Sequence, residues 1–271
     1  MRPVNKGKSP YTKIKDYKEA LPFLEEKLGS YCSYCEFPIT HVPEVEHVVS
    51  KSCGGEKLSW SNLLLSCKYC NSTKKNKTTP ENANDYLWPD QYNTALAFRY
   101  DNGIPQVNEE KLKQIDQTGV YLQKAKNLYE LVKLDPTLKD NRDDKRMRKR
   151  NEVYNLAKMK LDSWIKMTLI SEDAEIEMKQ AILDLVRGYG FISVWMYVFE
   201  DEPEILRQLV KCFSGTKEEY FDENGRVKEV IGQISVIVTN IDNQNKIYYN
   251  STIPTIKYQI TCLLYTSDAA D

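Results

Sequence analysis

Apolar positions change their period several times along the chain. Over residues 13–29, Tyr17, Ala20, Leu21, Leu24 and Leu28 recur at helical spacing, with Gly29 as the C-cap and Pro22 predicted to kink or restart the helix. Residues 30–80 lose that regularity. Short apolar runs at 45–49 and 63–65 stand among Cys, Gly, Ser and Asn, the pattern of a small unit organised by something other than a large core. Residues 85–103 read as an extended, aromatic-rich segment ending in an Asn102-Gly103 turn. From about residue 109 the helical period returns, with Val120, Ala125, Leu128, Tyr129 and Val132 on one face and a stop where Asp135 precedes Pro136. Further helices are predicted through Tyr154, Ala157, Leu161, Trp164 and Ile165, then Met178, Ala181, Ile182, Leu185 and Val186. After Gly188 and Gly190 comes an apolar run at 191–199, and a last helix opens at Pro203. Four or more helices imply a packed helical module. The fold class expected is α+β: a small unit within residues 1–105, a helical domain over 106–230, and a tail of undefined character over 231–261.

Composition narrows the function classes. A chain of 271 residues, 41% apolar and 28% charged, reads as soluble and globular. Its 38 Lys plus Arg balance 39 Asp plus Glu, so a polyanionic partner can be met only by a local patch. No apolar stretch approaches the length of a membrane span, and the opening residues lack the apolar core of a signal peptide, which points to the cytoplasm. Residues 262–271, CLLYTSDAAD, match the in-frame translation of a transposon-end sequencing adaptor and read as a scar rather than native chain.

Seven cysteines and two histidines then concentrate the chemistry. Cys32-x2-Cys35 and Cys67-x2-Cys70 are two knuckles whose four thiolates can complete a closed tetrahedral Zn²⁺ site, structural because it keeps no open position. The alternatives are buried thiols or a redox pair. Cys53, beside Gly54 and Gly55, reads as a turn thiol, Cys212 as a helix-face residue and His41 as a surface residue.

Between and just after the knuckles stand Glu46 next to His47, then Asn62, and Asn71 nine positions later. With the knuckles, this spacing resembles the HNH endonuclease family over residues 30–77. The resemblance implies a ββα-metal unit in which His47 is the general base, its imidazole pKa near 6.5 suiting it to accept a proton at neutral pH. It implies that Glu46 and Asn71 supply hard oxygen ligands to Mg²⁺ or Mn²⁺, and that Asn62 braces the loop and orients the histidine. Alternation along a strand sends adjacent Glu46 and His47 to opposite faces, so a bulge, a strand end or a backbone carbonyl must reconcile them. Asn at 71 and Glu at 46 depart from the commonest family form and leave the metal preference open.

Lys57, Lys68, Lys74, Lys75 and Lys77 lie in a stretch without acids, and Lys51 precedes it. Lys51, Lys74, Lys75 and Lys77 are the expected nucleic-acid contacts, with Lys74 one turn after Asn71 on a phosphate. A second basic run over 139–150 reads either as a DNA-binding arm or as a solvated helix face. More widely, MRPVNKG, YCSYCE, LWPD, GFISVWMYVF, FSGT and FDENG resemble the PtuB-like nucleases of Septu and retron anti-phage systems. That similarity implies an ATPase partner and a defence role. The activity expected is metal-dependent hydrolysis of DNA phosphodiester bonds; the alternatives are RNA cleavage, for example of transfer RNA, and a non-catalytic zinc module binding nucleic acid or protein.

Overall fold

The computed structural model describes residues 1–135 and 144–232. Pro22 stands in the first turn of α1 (Leu21–Leu28), where a missing N–H costs nothing, and Gly29 closes that helix at φ +70°. A 3₁₀ turn, Tyr17–Ala20, precedes it, closed by a reciprocal Asp16–Glu19 capping box. The predicted helix therefore does restart at Pro22.

The next elements build the small unit. β1 (Glu44–His47) pairs antiparallel with β2 (Leu63–Ser66), Glu46 opposite Leu64 and His47 opposite Leu63. Helix α2 (Lys68–Lys74) follows at once, the Cys67 sulfur accepting the Cys70 backbone N–H in its first turn. Every β2 residue is buried, so this strand is the floor of the unit. A short helix, α3 (Thr94–Ala97), leads into the hairpin β3 (Phe98–Asp101) and β4 (Ile104–Val107). Its two-residue turn is the predicted Asn102-Gly103, with φ +50° and +76°.

The single helix expected from residue 109 is two, α4 (Glu109–Ile115) and α5 (Val120–Leu131). The Asp116 carboxylate accepts from Thr118 and Tyr121 N–H groups and turns the chain between them. Then come α6 (Lys145–Met167), α7 (Glu172–Tyr189), α8 (Ile192–Val198) and α9 (Pro203–Cys212), so the apolar run at 191–199 holds a short helix, buried over its first four residues.

Residues 1–232 form one compact unit. The division expected at 105/106 falls inside β4, and buried polar contacts cross it. The Glu36 carboxylate accepts from the Ser193 backbone N–H (3.0 Å) and hydroxyl (2.6 Å) at the start of α8, and from the Arg2 backbone N–H. The helical module is thereby tied to the cysteine knuckles. Of the tail expected over 231–261 only residues 231 and 232 are described, and 262–271 lie outside the described residues.

Candidate functional site

Cys32, Cys35, Cys67 and Cys70 are all buried, and their sulfurs lie within 4.8 Å of one another. The Cys35 and Cys67 sulfurs are 3.7 Å apart. A tetrahedron of Zn–S bonds near 2.3 Å has edges of about 3.8 Å, so the four thiols are positioned to hold one metal ion of zinc type. Burial pushes the Cys70 thiol up, whereas S–H donors from the other three overcome burial and hold Cys32 down. Four thiolates this close need a cation to ionise together.

On β1, alternation decides the surroundings of the expected catalytic residues. Glu44 and Glu46 face α2. The Glu46 carboxylate is 2% exposed, and its Oε1 is 2.7 Å from the Lys74 ammonium while its Oε2 accepts the Tyr34 hydroxyl at 2.5 Å. Lys74 also donates to the His47 carbonyl and the Thr78 hydroxyl, each at 2.7 Å, so its three protons are spent on three buried acceptors. Burial and the Glu46 charge push the Tyr34 phenol well up, keeping it a donor. The expected contact of Lys74 with a phosphate does not match this placement: the side chain is 1% exposed and turned into the core. One turn before it, Asn71 donates its amide to the Glu44 carboxylate at 2.7 Å.

His47 points to the other side of the hairpin. Its Nε2 lies 3.0 Å from the Lys57 carbonyl, which can only accept, so in the neutral ring Nε2 carries the proton and Nδ1 is the basic nitrogen. Tyr17 packs edge-on against the imidazole at 4.8 Å, and the Lys51 ammonium sits over the Tyr17 ring at 4.0 Å. Burial holds the His47 pKa below 6.5; Lys51 and Lys74 add to that, while the Lys57 carbonyl and Glu46 pull the other way. The loop behind it is clasped by Asn62. This side chain accepts the Val49 N–H (2.7 Å) and donates to the carbonyls of Val49 (3.0 Å) and Glu56 (2.9 Å), and its own carbonyl accepts the Val48 N–H.

Lys51, Lys75 and Lys77 are exposed. His41 is exposed, and Cys53 and Cys212 are half-buried. The structure thus gathers Glu46, Lys74 and the His47 backbone at one point, pairs Asn71 with Glu44, and leaves the His47 ring on the opposite face. Three participants escaped the sequence reading. Glu44 was detectable as the residue two before Glu46 on the same strand face, Tyr34 carried no signal, and Arg146 was read only as part of the basic run over 139–150, not as a buried contact of the knuckle. Arg146 is 3% exposed, its guanidinium donates to the Cys70 sulfur at 3.0 Å, and it lies 4.0 Å from the centre of the Tyr69 ring.

Residues 32–77 match the HNH endonuclease family. They hold both knuckles, β1, β2 and α2, so the chain carries an HNH endonuclease domain in this stretch, which supports a nuclease in general. No curated protein matches the chain. Nor does any solved structure. Among the described residues, no helix is long and apolar enough to cross a membrane.

Proposed function

We propose that the protein is an endonuclease that hydrolyses DNA phosphodiester bonds, with His47 as the general base and the four cysteines holding a structural Zn²⁺. The observation that carries this reading is His47 itself. Its Nε2 proton is pinned by the Lys57 carbonyl, which leaves Nδ1 to accept a proton from water, and its lowered pKa keeps the ring neutral at pH 7. Asn62 holds the loop that supplies this backbone, and Lys74 grips the His47 carbonyl from the other side.

The oxygen donors suited to Mg²⁺ or Mn²⁺ are the Asn71 side chain and the Glu44 carboxylate beside it. Glu46, the ligand expected from the sequence, does not fit while Lys74 and Tyr34 occupy its oxygens. When bound, such an ion neutralises phosphate charge and stabilises the departing 3′ oxygen.

The separation of His47 from Asn71 across the hairpin favours one rival, a zinc module that binds nucleic acid without cutting it. Matched DNA and RNA offered to the purified chain with Mg²⁺ or Mn²⁺ decide between the readings. DNA cleavage that disappears in His47→Ala, with zinc content and melting kept, supports the proposal. Cutting confined to RNA overturns the DNA assignment, and cleavage unchanged by His47→Ala overturns the base. An ATPase partner and a role in anti-phage defence rest on the wider resemblance alone; co-purification with the product of a neighbouring ATPase gene tests them.

A further inference from the structure

The basic run at the start of α6 has no part in the chemistry above, yet it is seated on the HNH domain. Arg146 turns inward, where its guanidinium meets the Cys70 sulfur at 3.0 Å, the Tyr69 ring at 4.0 Å, the carbonyls of Val132 (3.0 Å) and Lys133 (2.7 Å), and the Asp144 carboxylate at 2.8 Å. The first turn of α6 is therefore packed against the first turn of α2.

Its neighbours point the other way. Lys145 is exposed, and the Arg148 side chain is 86% exposed. Across the junction, exposed Lys68 stands beside Tyr69 on the outer stripe of α2, three residues before Asn71, whose amide turns to Glu44 on β1. Asp144 is buried against Arg146, and Glu152 lies 3.2 Å from Arg148 and 3.3 Å from Lys149, in exposed pairs weak enough to exchange for another anion. Lys149 itself sits over the Tyr189 ring at 4.6 Å.

We infer that Lys145, Arg148 and Lys68 form a single backbone-contact surface for the polymeric nucleic-acid substrate, aligned with the outer stripe of α2 by the seat of Arg146 on the knuckle. The inference rests on the nuclease reading and deepens it: the helical module holds the strand that the HNH domain cuts. The chemistry recognised is a run of phosphodiesters, because cations spread over two helices meet successive phosphates and carry no base-reading geometry.

The test compares full-length His47→Ala with the same chain carrying Lys145→Gln and Arg148→Gln, both zinc-loaded. Binding to a fluorescent DNA duplex is followed by anisotropy across a salt series. Each phosphate contact contributes about 0.9 to the slope of log affinity against log salt, so losing two should flatten the slope by about 1.8 and weaken binding about 30-fold at 0.15 M salt. A slope flattened by at least about 1 supports the surface. A smaller change overturns it. Cleavage that depends on His47 is scored separately, so this surface can fail while the nuclease reading stands.

Discussion

Replacing Lys74 by Met asks whether its amine is buried in an ion pair or offered to a substrate. The ammonium and the Glu46 carboxylate are 2.7 Å apart, with side-chain exposures of 1% and 2%. At that separation, with an effective dielectric constant of about 20, their attraction is about 6 kcal/mol before desolvation is subtracted. Removing one partner of a buried pair leaves the other uncompensated, at a cost of 3–5 kcal/mol. The His47 carbonyl and Thr78 hydroxyl also lose their donor. We expect Lys74→Met to lower the unfolding free energy by about 4 kcal/mol, a large share of an ordinary domain's 5–15 kcal/mol. Adding Glu46→Gln removes the stranded charge, and the double variant should recover about 2 kcal/mol. Urea unfolding of the four proteins of this cycle, zinc-loaded and with unchanged denaturant slopes, measures the coupling. A Lys74→Met cost below about 1 kcal/mol, additive with Glu46→Gln, refutes the buried pair and returns Lys74 to the surface role expected from sequence.

The remaining predictions concern zinc, pH and one glycine. Cys67→Ser, or a strong chelator, should unfold residues 32–77, because structural zinc contributes about 10 kcal/mol or more to folding; circular dichroism and zinc content read this, and native melting without metal contradicts it. His47 has a folded pKa below 6.5, so the unfolded chain binds its proton first as pH falls. Stability from this residue is full above 6.5 and declines below it until the folded pKa is passed, and the acid limb of kcat/KM should have its midpoint under 6.5; a midpoint above that value contradicts the assignment. A Cβ at Gly55 would lie 2.0 Å from the Val49 carbonyl oxygen, so Gly55→Ala must push the strand end away from Asn62. A loss of roughly 2 kcal/mol or more in thermal or chemical unfolding is expected, and a neutral effect would show that the loop is not closed as described.

The sequence by itself determined the parts whose chemistry is local. Two Cys-x2-Cys knuckles hold their sulfurs by short-range backbone geometry, and Pro22, Gly29 and the Asn102-Gly103 turn act through their own dihedral angles, so each was legible before folding. Alternation on β1 was legible too, but the sequence reading expected a bulge, a strand end or a backbone carbonyl to bring Glu46 and His47 to one site, and the regular pairing of β1 with β2 gives them different neighbours instead. The tertiary structure decided what each side met. Glu46 found Lys74 and Tyr34, Asn71 found Glu44, and His47 found the Lys57 carbonyl, because the packing of α2 on one face of the hairpin and the 17–20 turn on the other sets which groups lose water together. Arg146 makes the point most sharply: in a run of similar cations, the helix phase selected one to be buried on a cysteine sulfur and left Lys145 and Arg148 to solvent. Composition does not encode that choice, since burial is a property of the packed surface and not of the residue.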